Sequence, residues 1–112
     1  SNGHRSGVMS VAVSSSGEII VSGGEDGEII VWRVDNGRII RTINAHKDAI
    51  LSIDISLDDR WFATKDWNGI IKVWQVSDGA LLATIRGLNN QVIWLSAPYT
   101  HYLHPEVTAK VY

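Results

Sequence analysis

His4, Ser22 and Asp26 place an imidazole, a hydroxyl and a carboxylate within the first quarter of the chain. These are the components of a hydrolytic triad, in which the imidazole takes the hydroxyl proton and the acid orients the imidazole. His46, Thr64 and Asn68 repeat the set further along, with the same spacing between members. A catalytic site has no reason to be duplicated with its acid turned into an amide and its Ser into Thr. The duplication points instead to a structural network of buried polar groups that satisfy one another. His101 and His104 are a second candidate pair, as metal ligands. In a strand, however, residues three apart point to opposite faces, and Glu106 is the one acid beside them. Gly23-Gly24 leads into no helix, so a phosphate cradle lacks its physical basis. Asp58-Asp59 reads as a solvated turn. Neither a metal nor a cofactor is expected.

The elements that must position these residues are all strands and turns. Val8 to Val13, Glu18 to Ser22, Glu28 to Arg33 and Arg38 to Ile43 are short runs rich in β-branched residues, separated by Ser14 to Gly17, Glu25 to Gly27 and Asp35 to Gly37. Ala49 to Ile55, Arg60 to Thr64, Ile70 to Gln75 and Ala80 to Ile85 repeat the order. Asp26-Gly27 and Asn68-Gly69 suit tight hairpin turns, whose central residues need positive φ. His4 and His46, Gly27 and Gly69, Val31 and Val73, and Trp32 and Trp74 are all separated by one and the same interval. One spacing kept by so many features is a tandem repeat. No stretch long enough for an ordinary helix shows a period of about 3.6. The fold class is therefore all-β, with four antiparallel strands per repeat.

Composition narrows the function classes. The 112 residues are 45% hydrophobic and 20% charged, with 10 basic and 12 acidic side chains and no cysteine. That balance suits one globular domain. It excludes disulfide scaffolds, thiol nucleophiles and cysteine zinc sites. The scattered Lys and Arg residues make no basic stripe, so no nucleic-acid partner is expected. Apolar runs fall far short of the roughly 20 residues of a membrane helix, so no membrane partner is expected either. The N-terminus lacks an initiator Met and an apolar leader, and the expectation is a processed product or a fragment. An intracellular, cytoplasmic setting is favoured.

A repeat of about 42 residues, with Gly3-His4 near its start and Trp32 closing its third strand, resembles the WD40 β-propeller repeat. The second repeat shows Ala45-His46 and Val73-Trp74 in the same places, and neither Trp is followed by Asp. The resemblance divides the chain into repeats at about 3–44 and 45–86, and a degenerate unit at about 87–112. In that third unit Leu88 replaces the His, Asn90 to Ser96 suits a first strand, and Val107 to Tyr112 suits a third. It also implies a hydrogen-bonded tetrad in each full repeat: His4, Ser22, Asp26 and Trp32, then His46, Thr64, Asn68 and Trp74. Asn68 lacks a charge, so the second network is expected to be the weaker.

The 112 residues hold about 2.7 repeats of this length, whereas closed propellers need about 4–8 blades. An open wedge would expose apolar faces and strand edges. Partners are therefore expected to include other copies of the chain or flanking blades. In the resembled family, protein partners bind the face where the His-bearing loops emerge. The matching positions are Gly7, Met9 and Glu25 in the first repeat, Ala49, Leu51 and Trp67 in the second, and Gln91 and Ile93 in the third. Met9, Leu51 and Ile93 suit partner contact and packing between blades equally well. Trp67 favours contact, because a turn tip has no use for an indole. The expected function is a non-catalytic protein-interaction scaffold, the alternative a structural piece that closes a ring.

Overall fold

Alternating β-branched runs and glycine turns fold into antiparallel strands, nine of them among the described residues. A computed structural model describes the backbone of residues 3–88 and 91–96 and the side chains of residues 3–86. The first sheet holds β1 (Val8–Val13), β2 (Ile19–Gly24), β3 (Glu28–Arg33) and β4 (Ile39–Asn44) in sequence order. The second holds β5 (Ile50–Ile55), β6 (Trp61–Asp66), β7 (Ile70–Gln75), β8 (Leu81–Leu88) and β9 (Gln91–Ser96), also in order. No helix occurs among the described residues. The chain is all-β, with a four-stranded meander from each full repeat.

The two registers agree when one repeat is laid on the other. Val21 pairs with Val31 as Ala63 pairs with Val73, and Ser22 with Ile30 as Thr64 with Lys72. The first strand of each repeat carries a bulge at the same place. Val8 and Ser10 face Gly24 and Gly23, and Ile50 and Ser52 face Asp66 and Lys65. Met9 and Leu51 are thus the residues without a cross-strand partner, and the extra residue bends its strand locally.

The main core lies between the sheets. Val21, Ile29 and Val31 from the first repeat meet Ala45, Ile50, Ile53, Phe62 and Trp74 from the second. Phe62 stacks on Trp74 with ring centroids 6.4 Å apart. Gly27, at φ 83°, marks the crossing between the sheets: its carbonyl accepts the Ala45 and His46 N–H groups at 3.1 and 3.0 Å. A Cβ there would overlap the His46 carbonyl, so the position demands glycine on two counts.

Side chains reinforce both ends of the sheet contact. The Asp59 carboxylate accepts the Ser15 N–H, the Ser15 hydroxyl and the Ser16 N–H at 2.8, 2.9 and 3.0 Å. Asp59 is therefore more than the solvated turn residue expected from its neighbours. It reaches from the β5–β6 turn to the β1–β2 turn, and those donors, that of Ser16 first, hold its carboxyl below the usual carboxylate range. Elsewhere the Arg41 guanidinium donates to the Asp78 and Ser77 carbonyls at 2.6 and 3.0 Å.

β9 forms where the sequence suggests a first strand of a third unit, and among the described residues it extends the second sheet. It pairs antiparallel with β8, from Leu88 opposite Gln91 to Thr84 opposite Ser96. An open edge of backbone donors and acceptors takes whichever strand can reach it. The expected strand at Val107 to Tyr112, together with His101, His104 and Glu106, lies outside the described residues.

Candidate functional site

The second repeat builds a complete hydrogen-bond chain around His46. Its Nδ1 lies 2.9 Å from Asp66 Oδ2, and its Nε2 lies 2.7 Å from Thr64 Oγ1. Trp74 Nε1 donates to the same Thr64 oxygen at 3.0 Å. A carboxylate only accepts, so the imidazole proton sits on Nδ1, and Nε2 accepts the Thr64 hydroxyl proton. The other oxygen of Asp66 accepts the Asn68 and Ile70 N–H groups at 2.8 and 3.0 Å, which fixes the β6–β7 turn. Burial pushes the His46 pKa below its ordinary value, outweighing the opposing pull of Asp66, and the Lys72 charge adds to the lowering.

This arrangement corrects the expected tetrad. Asp66, not Asn68, is the acid of the second network. The Asn68 amide turns away and donates to the Asp48 carboxylate. His46, Thr64 and Asp66 have the connectivity of a hydrolytic triad, but the His46 side chain is fully buried and Thr64 is 1% exposed. The Thr64 oxygen already accepts the indole proton. A substrate carbonyl has no approach to it.

The first network is the incomplete one, opposite to the order expected from Asn68. His4 Nε2 lies 2.7 Å from Ser22 Oγ, and Trp32 Nε1 donates to that oxygen at 2.8 Å. The position matching Asp66 is Gly24, which has no carboxylate to offer. His4 Nδ1 is buried without a hydrogen-bond partner. Asp26 instead accepts the Glu28 N–H at 3.1 Å, and Glu28 Oε1 lies 3.8 Å from His4 Nδ1. Laying one repeat on the other pairs Asp26 with Asn68. The sole signal in the sequence for the true acid is the mismatch of Gly24 with Asp66, two positions earlier.

The loop face carries the expected contact positions in two different states. Gly7 and Glu25 are tied together: the Glu25 carboxylate accepts the Gly7 N–H at 3.0 Å, and the Gly7 carbonyl accepts the Glu25 N–H at 2.9 Å. Ala49 and Trp67 keep the backbone bond, at 3.0 Å, but Trp67 sends its indole outward and is 72% exposed. The bulged Met9 and Leu51 are also exposed. Gln91 and Ile93 stand on β9 opposite Leu88 and Arg86, and their side chains lie outside the described residues. On β1, Val11 and Val13 are exposed while Ala12 packs toward the second sheet. Alternation along the strand therefore points Val11 and Val13 away from that sheet.

Comparison with known proteins agrees with this geometry. The family described as WD domain, G-beta repeat (WD40) matches residues 1–33 and 37–75. No curated protein matches the sequence. Among solved structures, that of U3-55K superposes with a TM-score of 0.74 at 27% identity, over 78% of this chain and 28% of that one. The crystal structure of RRP9 WD40 repeats gives the same TM-score, identity and shares. The chain thus spans 28% of the length of each of these solved relatives.

Proposed function

The chain belongs to the WD40 family of WD-domain, G-beta repeats, whose members generally serve as scaffolds for protein–protein interaction, and we propose that it is a non-catalytic scaffold segment that binds a protein partner through its loop face. The observation that carries this reading is Trp67. It stands beside the Asn68-Gly69 turn, 72% exposed, in a place where the first repeat uses Glu25. The turn therefore accepts a charged residue, and an indole there is surplus to folding. Exposed Trp and Met are the side chains that binding hot spots favour, and the bulges present Met9 and Leu51 at the same ends of β1 and β5. The burial of Thr64 and His46 supports the non-catalytic half of the reading.

The test is Trp67→Glu, which copies the first repeat. Proteins captured by the chain at matched concentration are compared with those captured by the variant, alongside thermal melts of both. The reading requires melting to stay unchanged while a captured protein is lost. Lower stability with capture intact would assign the indole to packing instead.

A second reading rests on a separate observation. Val11 and Val13 present an uncovered apolar stripe on β1, on the side where a preceding blade would pack in a closed ring. A flanking blade or a second copy would cover it. Light scattering on Val11→Lys and Val13→Lys variants checks this, because an assembly that uses the stripe would dissociate.

A further inference from the structure

The place in the first repeat where the second holds a carboxylate is empty of one, yet it is surrounded by ligating atoms. His4 Nδ1, an Asp26 oxygen and a Glu28 oxygen all lie within 4.8 Å of one another. The His4 side chain is 2% exposed and that of Glu28 is 9% exposed, while Asp26 sits at the rim in solvent. A buried nitrogen without a partner is costly, and two acids beside it mark the missing charge as positive.

We propose that His4 Nδ1, Asp26 and Glu28 bind a divalent transition-metal cation of the zinc class, which takes the part in the first repeat that the Asp66 carboxylate plays in the second. The donor chemistry fits, since imidazole nitrogen and carboxylate oxygen are zinc ligands at about 2.0–2.2 Å. In a tetrahedral site, donors at these bond lengths stand about 3.4 Å apart. The 3.8 Å between His4 and Glu28 must close by a few tenths of an ångström, and the exposed Asp26 needs a small inward turn. Asp26 Oδ1 accepts the Glu28 N–H and keeps a second lone pair for the ion.

The proton arrangement also fits. Ser22 Oγ accepts the Trp32 indole proton at 2.8 Å and is 3.5 Å from the Ile30 carbonyl, to which its own proton can point. The His4 Nε2–H then donates to Ser22, and Nδ1 is left as a bare lone pair facing the acids. A ligating histidine whose other nitrogen donates to a fixed acceptor is the usual second layer of a metal site. In the second repeat Asp66 forbids this tautomer. Gly24 permits it, since its missing side chain keeps the space open: a Cβ there would stand 2.9 Å from His4 Nδ1 and 3.0 Å from Asp26 Oδ1. Arg5, 78% exposed and 3.9 Å from Glu28 Oε2, competes for the buried acid and can withdraw into solvent. Three protein ligands leave a coordination position to water, so the site is open.

The test is titration of the full chain with Zn2+ by calorimetry and with Co2+ by visible absorption, together with thermal melts. One ion per chain is expected, with a rise in melting temperature on loading. Asp26→Asn and Glu28→Gln each weaken binding at least tenfold. Gly24→Ala, whose Cβ would stand 2.9 Å from His4 Nδ1 in the space the ion needs, weakens it as much. The His101→Ala/His104→Ala double variant binds as the parent does. The proposal is overturned by loss of binding in that double variant, by undiminished binding in Glu28→Gln, or by no binding at all. In that last case a protonated Nδ1 bonded directly to Asp26 is the occupant, which nitrogen-detected NMR of His4 would show. None of these outcomes depends on Trp67.

Discussion

Asp66 and His46 meet at 2.9 Å with both side chains buried, and the residue one repeat length before Asp66 is Gly24. Two repeats with the same strands, registers and indole–hydroxyl contact therefore differ in the one group that holds the imidazole. The second repeat fixes its loop with a charge-assisted hydrogen bond, the stronger kind. The first does without.

That difference sets the order of two substitutions. Asp66→Ala leaves a buried histidine unpaired and frees two turn N–H groups, at a cost of about 3 kcal/mol or more. Asn68→Ala removes an exposed contact to Asp48 and costs less than about 1 kcal/mol. Chemical denaturation of the two variants measures both. An equal loss would return Asn68 to the network.

The two tryptophans also separate. Trp74 is 5% exposed and stacked on Phe62 inside the core between the sheets, and Trp74→Ala costs about 3–5 kcal/mol. Trp32 is only partly buried, so Trp32→Ala costs less, about 1–3 kcal/mol, scaling with the smaller area lost. Melts under one condition rank them.

Acid weakens the fold through His46. Its folded pKa lies below the ordinary 6.5 because burial disfavours the imidazolium. As pH falls through about 6.5 the unfolded chain takes up a proton that the folded chain refuses, so stability falls from there down to the folded pKa. Above that window the contribution is flat. Comparing the pH dependence of the denaturation midpoint in the parent and in His46→Gln isolates it, and the variant should show the shallower slope over that window.

Asp59 acts at the more acidic end. Its carboxyl is held below the usual range by N–H donors of the neighbouring sheet, so its stabilisation is complete above the ordinary carboxylate pKa and is lost as pH falls through the folded value. Asp59 has φ 59°, and the matching residue of the first repeat is Gly17, at φ 75°. Asp59→Asn keeps a residue type that tolerates this φ and removes the charge. Its melting temperature should fall below the parent's at neutral pH, and the gap should close in strong acid.

How much of this is legible in the sequence follows from the range of the forces involved. β3 and β7 emerge with the limits expected, because β-branched runs bounded by Asp-Gly or Asn-Gly state both strand and turn locally. The indole–hydroxyl pairs Trp32–Ser22 and Trp74–Thr64 are implied by the family resemblance, and the register of adjacent strands sets each pair on diagonal positions. Which acid meets each histidine does not follow, because the His-bearing loop and the strand end are set by separate folding constraints, and a slip of two positions exchanges Asn68 for Asp66. Asp59 reads as solvated because its partners, Ser15 and Ser16, lie 43 to 44 positions away. The pairing of β9 with β8 depends on which edges are left open, which is a property of the whole assembly.

The bulges at Met9 and Leu51 separate two inheritances. A residue opposed by nothing across the ladder carries no register information, so its side chain can change size, polarity or charge without displacing a strand hydrogen bond. Both positions recur at the same point of each repeat, at the end that the histidine loops occupy. Duplication of a repeat thus copies a folding unit together with one freely variable letter. A chain of such repeats can acquire a new binding specificity by rewriting those letters alone, with the part of the sequence that folds left untouched.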